Sequence, residues 1–159
     1  FSLRRGQPKL GLSYDNMLSP DAAAKKGAEI RKAYMEAIPG LESLVNATRK
    51  VAEKGTIRAI DRRNIRVDKE HKALNFLLQG SAAVLAKRWL VITDANLKDL
   101  EHERYAFVHD EQVLGAPPEV AEQVGEVCKL SAMLAGEFYN LRIPIEADAN
   151  IGNNWAEVH

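Results

Sequence analysis

The spacing of apolar positions changes repeatedly along the chain, and each change predicts an element. Ser19-Pro20-Asp21 combines a capping hydroxyl, a proline at the first helical position and an acid in the first turn, which predicts a helix from there to about Ala37. Pro39-Gly40 breaks it, and Leu41, Leu44, Val45 and Ala52 resume helical spacing until Gly55. Thr56 to Ile60 and Asn64 to Val67 alternate in character around Asp61-Arg62-Arg63, the pattern of a short hairpin with a cationic side. From Lys69 to about Asp99 there is no proline and one glycine, Gly80, with Leu74, Leu77, Leu78, Ala82, Leu85, Trp89 and Ile92 at helical spacing, so one long buried helix is expected. Tyr105 to Val108 and Gln112 to Leu114 are short β-prone runs around His109-Asp110-Glu111 and predict a second hairpin, ended by Gly115 and Pro117-Pro118. A helix from Pro118 to about Phe138, a strand over Leu141 to Ala147 and a polar tail from Asn150 to His159 complete the expected order. The fold class is therefore α+β, short antiparallel strands packed with long helices.

Composition narrows the setting. The 159 residues, 46% hydrophobic, suffice for one good core, so one domain is expected. A charged content of 28%, with no apolar run approaching 18 residues, argues against disorder and predicts no membrane span. Arg4-Arg5 are followed by no apolar core of a signal peptide, and the lone Cys128 cannot form an internal disulfide, so a cytoplasmic, reducing location is expected. Cys128 lies in a helical stretch and reads as a small core residue rather than a reactive thiol. The net charge of zero hides a division: residues 1–89 hold 18 Lys and Arg against 9 Asp and Glu, and residues 90–159 hold 4 against 13. A basic half suits a polyanion such as nucleic acid and an acidic half suits divalent cations, although two solvated faces of opposite sign would give the same count.

Two segments carry candidate chemistry. A β-run that delivers Asp110 at a tight turn exposes one carboxylate, either as a turn former or as a ligand for a hard cation. Adjacent residues of an extended chain face opposite ways, so Asp110 and Glu111 do not readily chelate one ion together, and Asp110 needs carboxylate partners from elsewhere. In the long helix His71, Asn75 and Gln79 are spaced by four and share one face. Amides there suit minor-groove base edges, which present an acceptor at nearly the same place in every base pair; a merely solvated face is the other reading.

Together and in this order, the two segments resemble the family-A, polymerase-I-type DNA polymerases, in the phage replicative branch more than the bacterial repair branch. His109-Asp110-Glu111 resembles the family's histidine-aspartate-glutamate motif of the palm, and Asn75-Phe76-Leu77-Leu78-Gln79-Gly80 the palm helix that lies along the primer-template. Ala59-Ile60-Asp61-Arg62-Arg63 is similar to the leucine-aspartate-glycine-arginine turn, with Arg62 in the glycine's place. Ile151-Gly152-Asn153-Asn154-Trp155 to His159 resembles the family's C-terminus, and Gly6 to Gly11 the segment after the fingers helix. The resemblance implies a fingers-proximal helical segment, 1–55, and a palm, 56–159. It implies that Asp110 binds catalytic Mg²⁺ with Glu111 auxiliary, and that His109 contacts the primer's terminal nucleotide. Asn75 and Gln79 would touch the duplex minor groove, beside His71, whose histidine agrees with the phage branch. Arg63, and less directly Arg62, would contact the nucleic-acid backbone.

The departures matter equally. The family's other metal-binding aspartate and the fingers residues that hold the incoming nucleotide have no counterpart here, and Leu3-Arg4 stand where the family has tyrosine-glycine. Two-metal chemistry needs a carboxylate set that one aspartate does not supply. The expectation is a C-terminal palm portion, natural or processed, inactive alone. It would work on primer-template DNA and deoxynucleoside triphosphates with an N-terminal portion supplying fingers, thumb and remaining palm, in a host cytoplasm if phage-encoded. A catalytically silent DNA-binding remnant is the rival; a stand-alone metal nuclease fails on ligand count.

Overall fold

The structure, a computed structural model, describes residues 19–158. The resemblances placed at Leu3-Arg4, at Gly6 to Gly11 and at His159 lie outside the described residues. The chain divides between Lys54 and Gly55 into two compact units.

The first unit is a helix pair, α1 (Pro20–Ala37) and α2 (Leu41–Ala52). Ser19 caps α1 by accepting a hydrogen bond from the Ala22 amide at 3.3 Å, and Pro20 starts it where no amide donor is needed. Pro39 disfavours helical geometry in the residue before it, and Ile38 is extended at φ −113° and ψ 103°. In α2 the Thr48 hydroxyl donates to the carbonyls of Leu44 and Val45, both at 2.9 Å, so this buried polar group is satisfied within its own helix.

The second unit holds two antiparallel hairpins and two long helices. Strands β1 (Thr56–Arg58) and β2 (Asn64–Arg66) pair with Ile57 opposite Ile65. A single 3₁₀ turn, Glu70–Lys72, leads into α3 (Ala73–Leu97). Strands β3 (Glu103–Val108) and β4 (Glu111–Gly115) form the second hairpin, followed by α4 (Pro118–Phe138) and a short α5 (Trp155–Val158). Helices α3 and α4 pack along each other because α4 presents Ser131, Ala132 and Ala135, all nearly or wholly inaccessible. Small side chains let the helix backbones approach closely. Leu97, Val124 and Cys128 form the core, sealed by Leu100, Leu114, Ala116, Val120 and Val127. The Trp89 indole donates to the Cys128 carbonyl at 2.8 Å and Asn96 donates to Ser131 at 3.2 Å, which pins the helices in register with satisfied polar groups.

Two expectations are corrected. The long helix is not buried throughout: Ala73, Val84, Thr93 and Leu97 are its only buried residues, and Leu78 and Val91 are each 58% exposed. Within Glu70–Leu97 an 18-residue window reaches a mean hydropathy of 1.2, so the helix is long and apolar enough to cross a membrane by length and composition alone, yet α4 covers one side and Lys87 and Arg88 interrupt it. The expected strand over Leu141 to Ala147 is irregular instead. Its alternation is real, but Pro144 offers no amide donor and no strand of the described residues pairs with it. Ile145 packs on Gly136 of α4, where an added Cβ would lie 2.8 Å from its side chain, so the segment meets α4 through a half-buried side chain rather than a ladder.

Candidate functional site

The β3–β4 hairpin closes through a two-residue turn, His109-Asp110, because Val108 pairs directly with Glu111. His109 takes φ 54°, a left-handed geometry that costs a non-glycine residue of the order of 1 kcal/mol and that hairpin turns of this length demand. Asp110 is exposed at the tip, while Glu111 is already the first residue of β4 and half-buried. The motif read as one acidic turn is thus an exposed carboxylate followed by a strand residue. A shift in register between Arg104 and Ala106 leaves Tyr105 bulged, 67% exposed, with its ring over Gly115.

What fixes this turn is a network that sequence reasoning missed. Arg104 of β3 binds both Asp94 of α3 and, at 2.5 Å, the Gln112 carbonyl oxygen of β4. The Gln112 amide in turn donates to the hydroxyl of Thr93 at 3.2 Å, and Thr93 is wholly buried. Trp89 meets Phe107 edge-on, ring centroids 6.2 Å apart. The strands that carry Asp110 are therefore tied to α3 by charge-assisted bonds and an aromatic contact. Cys128 lies in the same core; burial pushes its thiol up, with Arg104 opposing, so it stays protonated and inert as expected of a core residue.

The helical stripe forms as predicted in one respect: Asn75 and Gln79 lie one turn apart on α3, with His71 in the preceding 3₁₀ turn. All three are exposed, and none makes a side-chain hydrogen bond or ion pair among the described residues. Four donor and acceptor groups of the two amides are thereby open to a partner. Gly80 beside them admits Ile65 of β2, whose terminal methyl occupies the space a Cβ would take.

Arg62 and Arg63 sit in the loop between β1 and β2. The Arg62 amide bonds to the Ala59 carbonyl at 2.9 Å and Arg62 takes φ 68°, so an arginine occupies a left-handed position that suits glycine. The Asp61 carboxylate accepts from the Arg63 amide at 3.2 Å and from its Nε at 2.5 Å. Slight desolvation pushes the Asp61 carboxyl up, but these bonds and the guanidinium charge outweigh it and hold the group below the usual carboxylate range. Arg63 then lines a cleft with Lys87, Arg88 and Tyr139 rather than joining the His71-Asn75-Gln79 face.

Asp110, Glu111 and His109 stand together, but no three of His, Cys, Asp and Glu gather as a metal cage among the described residues. At the C-terminal end Glu157 accepts from the amide and side chain of Asn153 and from Asn154, which turns the tail into α5; these bonds hold its carboxyl low.

Residues 6–157 match the family model described as DNA polymerase family A. The DNA-directed DNA polymerase of Enterobacteria phage T3 is 30% identical over 162 residues, covering 87% of this chain and 23% of the relative. DNA polymerase I of Bacillus caldotenax is 30% identical over 146 residues, covering 82% of this chain and 16% of the relative. A solved POL domain of Pol1 from M. smegmatis, in complex with DNA primer-template and dNTP, aligns with a TM-score of 0.70 at 21% identity, over 79% of this chain and 24% of that one. The chain thus spans less than a quarter of the length of each of these proteins.

Proposed function

The chain belongs to DNA polymerase family A, and we propose that it is the C-terminal palm portion of such an enzyme, of the phage replicative type, contributing to template-directed DNA synthesis. The observation that carries the reading is the exposed Asp110 at the tip of a hairpin that is itself clamped to α3 through Arg104, Gln112 and Thr93. A turn former needs no such clamp, whereas a ligand for a hard cation must be held in place. Asp110, with Glu111 auxiliary, would be part of a carboxylate set for Mg²⁺ that the described residues do not complete, so the remaining donors would come from an N-terminal portion carrying the rest of the palm, the fingers and the thumb. Mg²⁺ held by the full set would supply charge neutralisation at the triphosphate of the incoming deoxynucleotide. His109 beside Asp110 would meet the primer's terminal nucleotide, and Asn75 and Gln79, with His71 beside them, would read the shape of the minor groove without selecting sequence, because the two amides accept and donate alike. Arg62 and Arg63 would contact the DNA backbone.

The test is primer extension and DNA binding by the polymerase that contains this chain, with Asp110→Asn. The exchange keeps the turn's shape and removes its charge. Turnover should fall by more than the roughly 10–100-fold that loss of a supporting group near a metal costs, while DNA affinity stays within twofold. Near-normal turnover would replace this reading with a silent DNA-binding portion, which the incomplete metal cage also favours.

A further inference from the structure

We propose that Arg63, Lys87 and Arg88 form a second nucleic-acid contact, a cleft that takes a backbone phosphodiester on the side of α3 away from the His71-Asn75-Gln79 stripe. The cleft measures about 190 Å³ and is lined by Arg63, Val84, Lys87, Arg88, Val91 and Tyr139. Three cations from two separate elements line it, and no carboxylate of the described residues does. Like charges held together in this way repel unless an anion lies between them.

Each cation has a reason to want that anion. Arg88 lies 3.8 Å from the centroid of the Phe138 ring and 5.9 Å from that of Tyr139, and its Nε is buried without a hydrogen-bond partner among the described residues. Stacking on a ring satisfies the face of a guanidinium but not its in-plane N–H groups, and the buried Nε–H of Arg88 keeps the cost of its desolvation. Lys87 is exposed and makes no ion pair among the described residues. Arg63 gives Nε to Asp61, which fixes its side chain and leaves the terminal amino groups for an external acceptor.

A phosphodiester fits better than a carboxylate. The guanidinium forks and the lysine point charge can share the two free oxygens of one phosphate. The exposed Phe138, at 55%, offers a base a stacking surface beside the charges. Arg58, Arg62 and Arg66, all exposed on the same hairpin as Arg63, add further cations on that hairpin. The cleft is also distinct from the stripe. Nine residues separate Gln79 from Arg88, which at about 100° per residue places them half a turn out of phase and roughly 13 Å apart along α3, while Lys87 lies about 80° round from Gln79 and about 12 Å along. A groove contact at Gln79 does not reach Arg88, so the cleft would hold a strand that has left the primer-template helix.

The inference rests on the reading of this chain as part of a DNA polymerase, but its test reads binding alone. In the polymerase containing this chain, surface amines are acylated with and without single-stranded oligothymidylate or inorganic phosphate, and modification of Lys87 is followed by mass spectrometry. The oligonucleotide should protect Lys87 several-fold at concentrations where phosphate does not. Lys87→Ala should lower the slope of log affinity against log salt for the oligonucleotide by about 0.7, one single-strand contact, and Lys87→Arg should restore it. Asn75→Ala and Asp110→Asn should leave Lys87 protection intact, so failure of the polymerase reading would show in extension assays without touching this result. Equal protection by phosphate would make the cleft a free-anion site and overturn the assignment. So would unprotected Lys87, or an unchanged slope in Lys87→Ala.

Discussion

The two hairpins of the second unit rest on the same helix and are held in different ways. β1–β2 sits on α3 through apolar contact, Ile65 against Gly80, and two of its cations, Arg62 and Arg63, lie in a five-residue loop between Arg58 and Asn64 braced by the Asp61–Arg63 bond. β3–β4 is held by Arg104, Asp94, Gln112 and Thr93 and by the Trp89–Phe107 contact, and its acid projects from a loop of two residues. The difference matches what each end would do. A phosphate is attracted over several ångströms and tolerates a flexible lysine or arginine, whereas a carboxylate that positions a cation loses its effect when displaced by about 1 Å.

The largest test of that contrast is Arg104→Ala. It removes the charged ties of β3–β4 to Asp94 and Gln112, leaves the Gln112–Thr93 and Trp89–Phe107 contacts and does not touch Asp110, and in the polymerase turnover should fall about 10-fold or more, with DNA affinity nearly unchanged. Because the Asp94 side chain is 61% exposed, the loss of stability should be modest, near the low end of the about 1.5–3 kcal/mol typical of bonds to charged groups. Turnover within twofold of normal would remove the clamp from the account. Gly80→Val strikes the other hairpin: the new side chain competes with Ile65, so denaturant unfolding should show a loss of about 1–3 kcal/mol and the salt slope for DNA should change while the chemical step does not. Thr93→Val removes the acceptor beneath Gln112 at almost constant volume and should cost about 1 kcal/mol, with unchanged thermal stability counting against the bond.

Two smaller effects refine the cationic loop. Arg62→Gly relieves a left-handed arginine, a gain of up to about 1 kcal/mol once glycine's extra freedom in the unfolded chain is subtracted, while weakening DNA binding slightly. A gain in both would show that Arg62 takes no part in binding. Asp61 has its folded pKa depressed, so its contribution is present above its ordinary value of 3.8 and is lost as pH falls through the lower folded value. Asp61→Asn should therefore remove a slight acid-dependent step below pH 3.8, and an identical pH profile in both proteins would deny the Arg63 bond any influence on the loop.

Local signals were enough to find most elements. Ser19-Pro20 marked the start of α1, Pro118 and Phe138 bounded α4, and the short β-prone runs marked both hairpins, because caps, prolines and alternation act within a few residues. Asp110 and the Asn75-Gln79 spacing were legible for the same reason, helped by the resemblance of their surroundings to a known family. Leu141 to Ala147 misled because alternation reports which face is apolar and says nothing about whether a neighbouring strand exists to take the amides. The long helix misled in another way: its apolar residues surround it, and only the packing of α4 decides which side is covered and which stays open.

The sequence by itself determined most of the elements and their order, the acid at the turn and the spacing of the two amides one helical turn apart, since each depends on neighbours fewer than about five positions away. Tertiary structure alone decided that Arg104 clamps the acidic hairpin to α3, that Arg63 lines a cleft with Lys87 and Arg88, and that Tyr139 meets them from the end of α4. Those partners are far apart along the chain, and a side chain's charge or shape does not encode which distant backbone will bring an acceptor within hydrogen-bonding range.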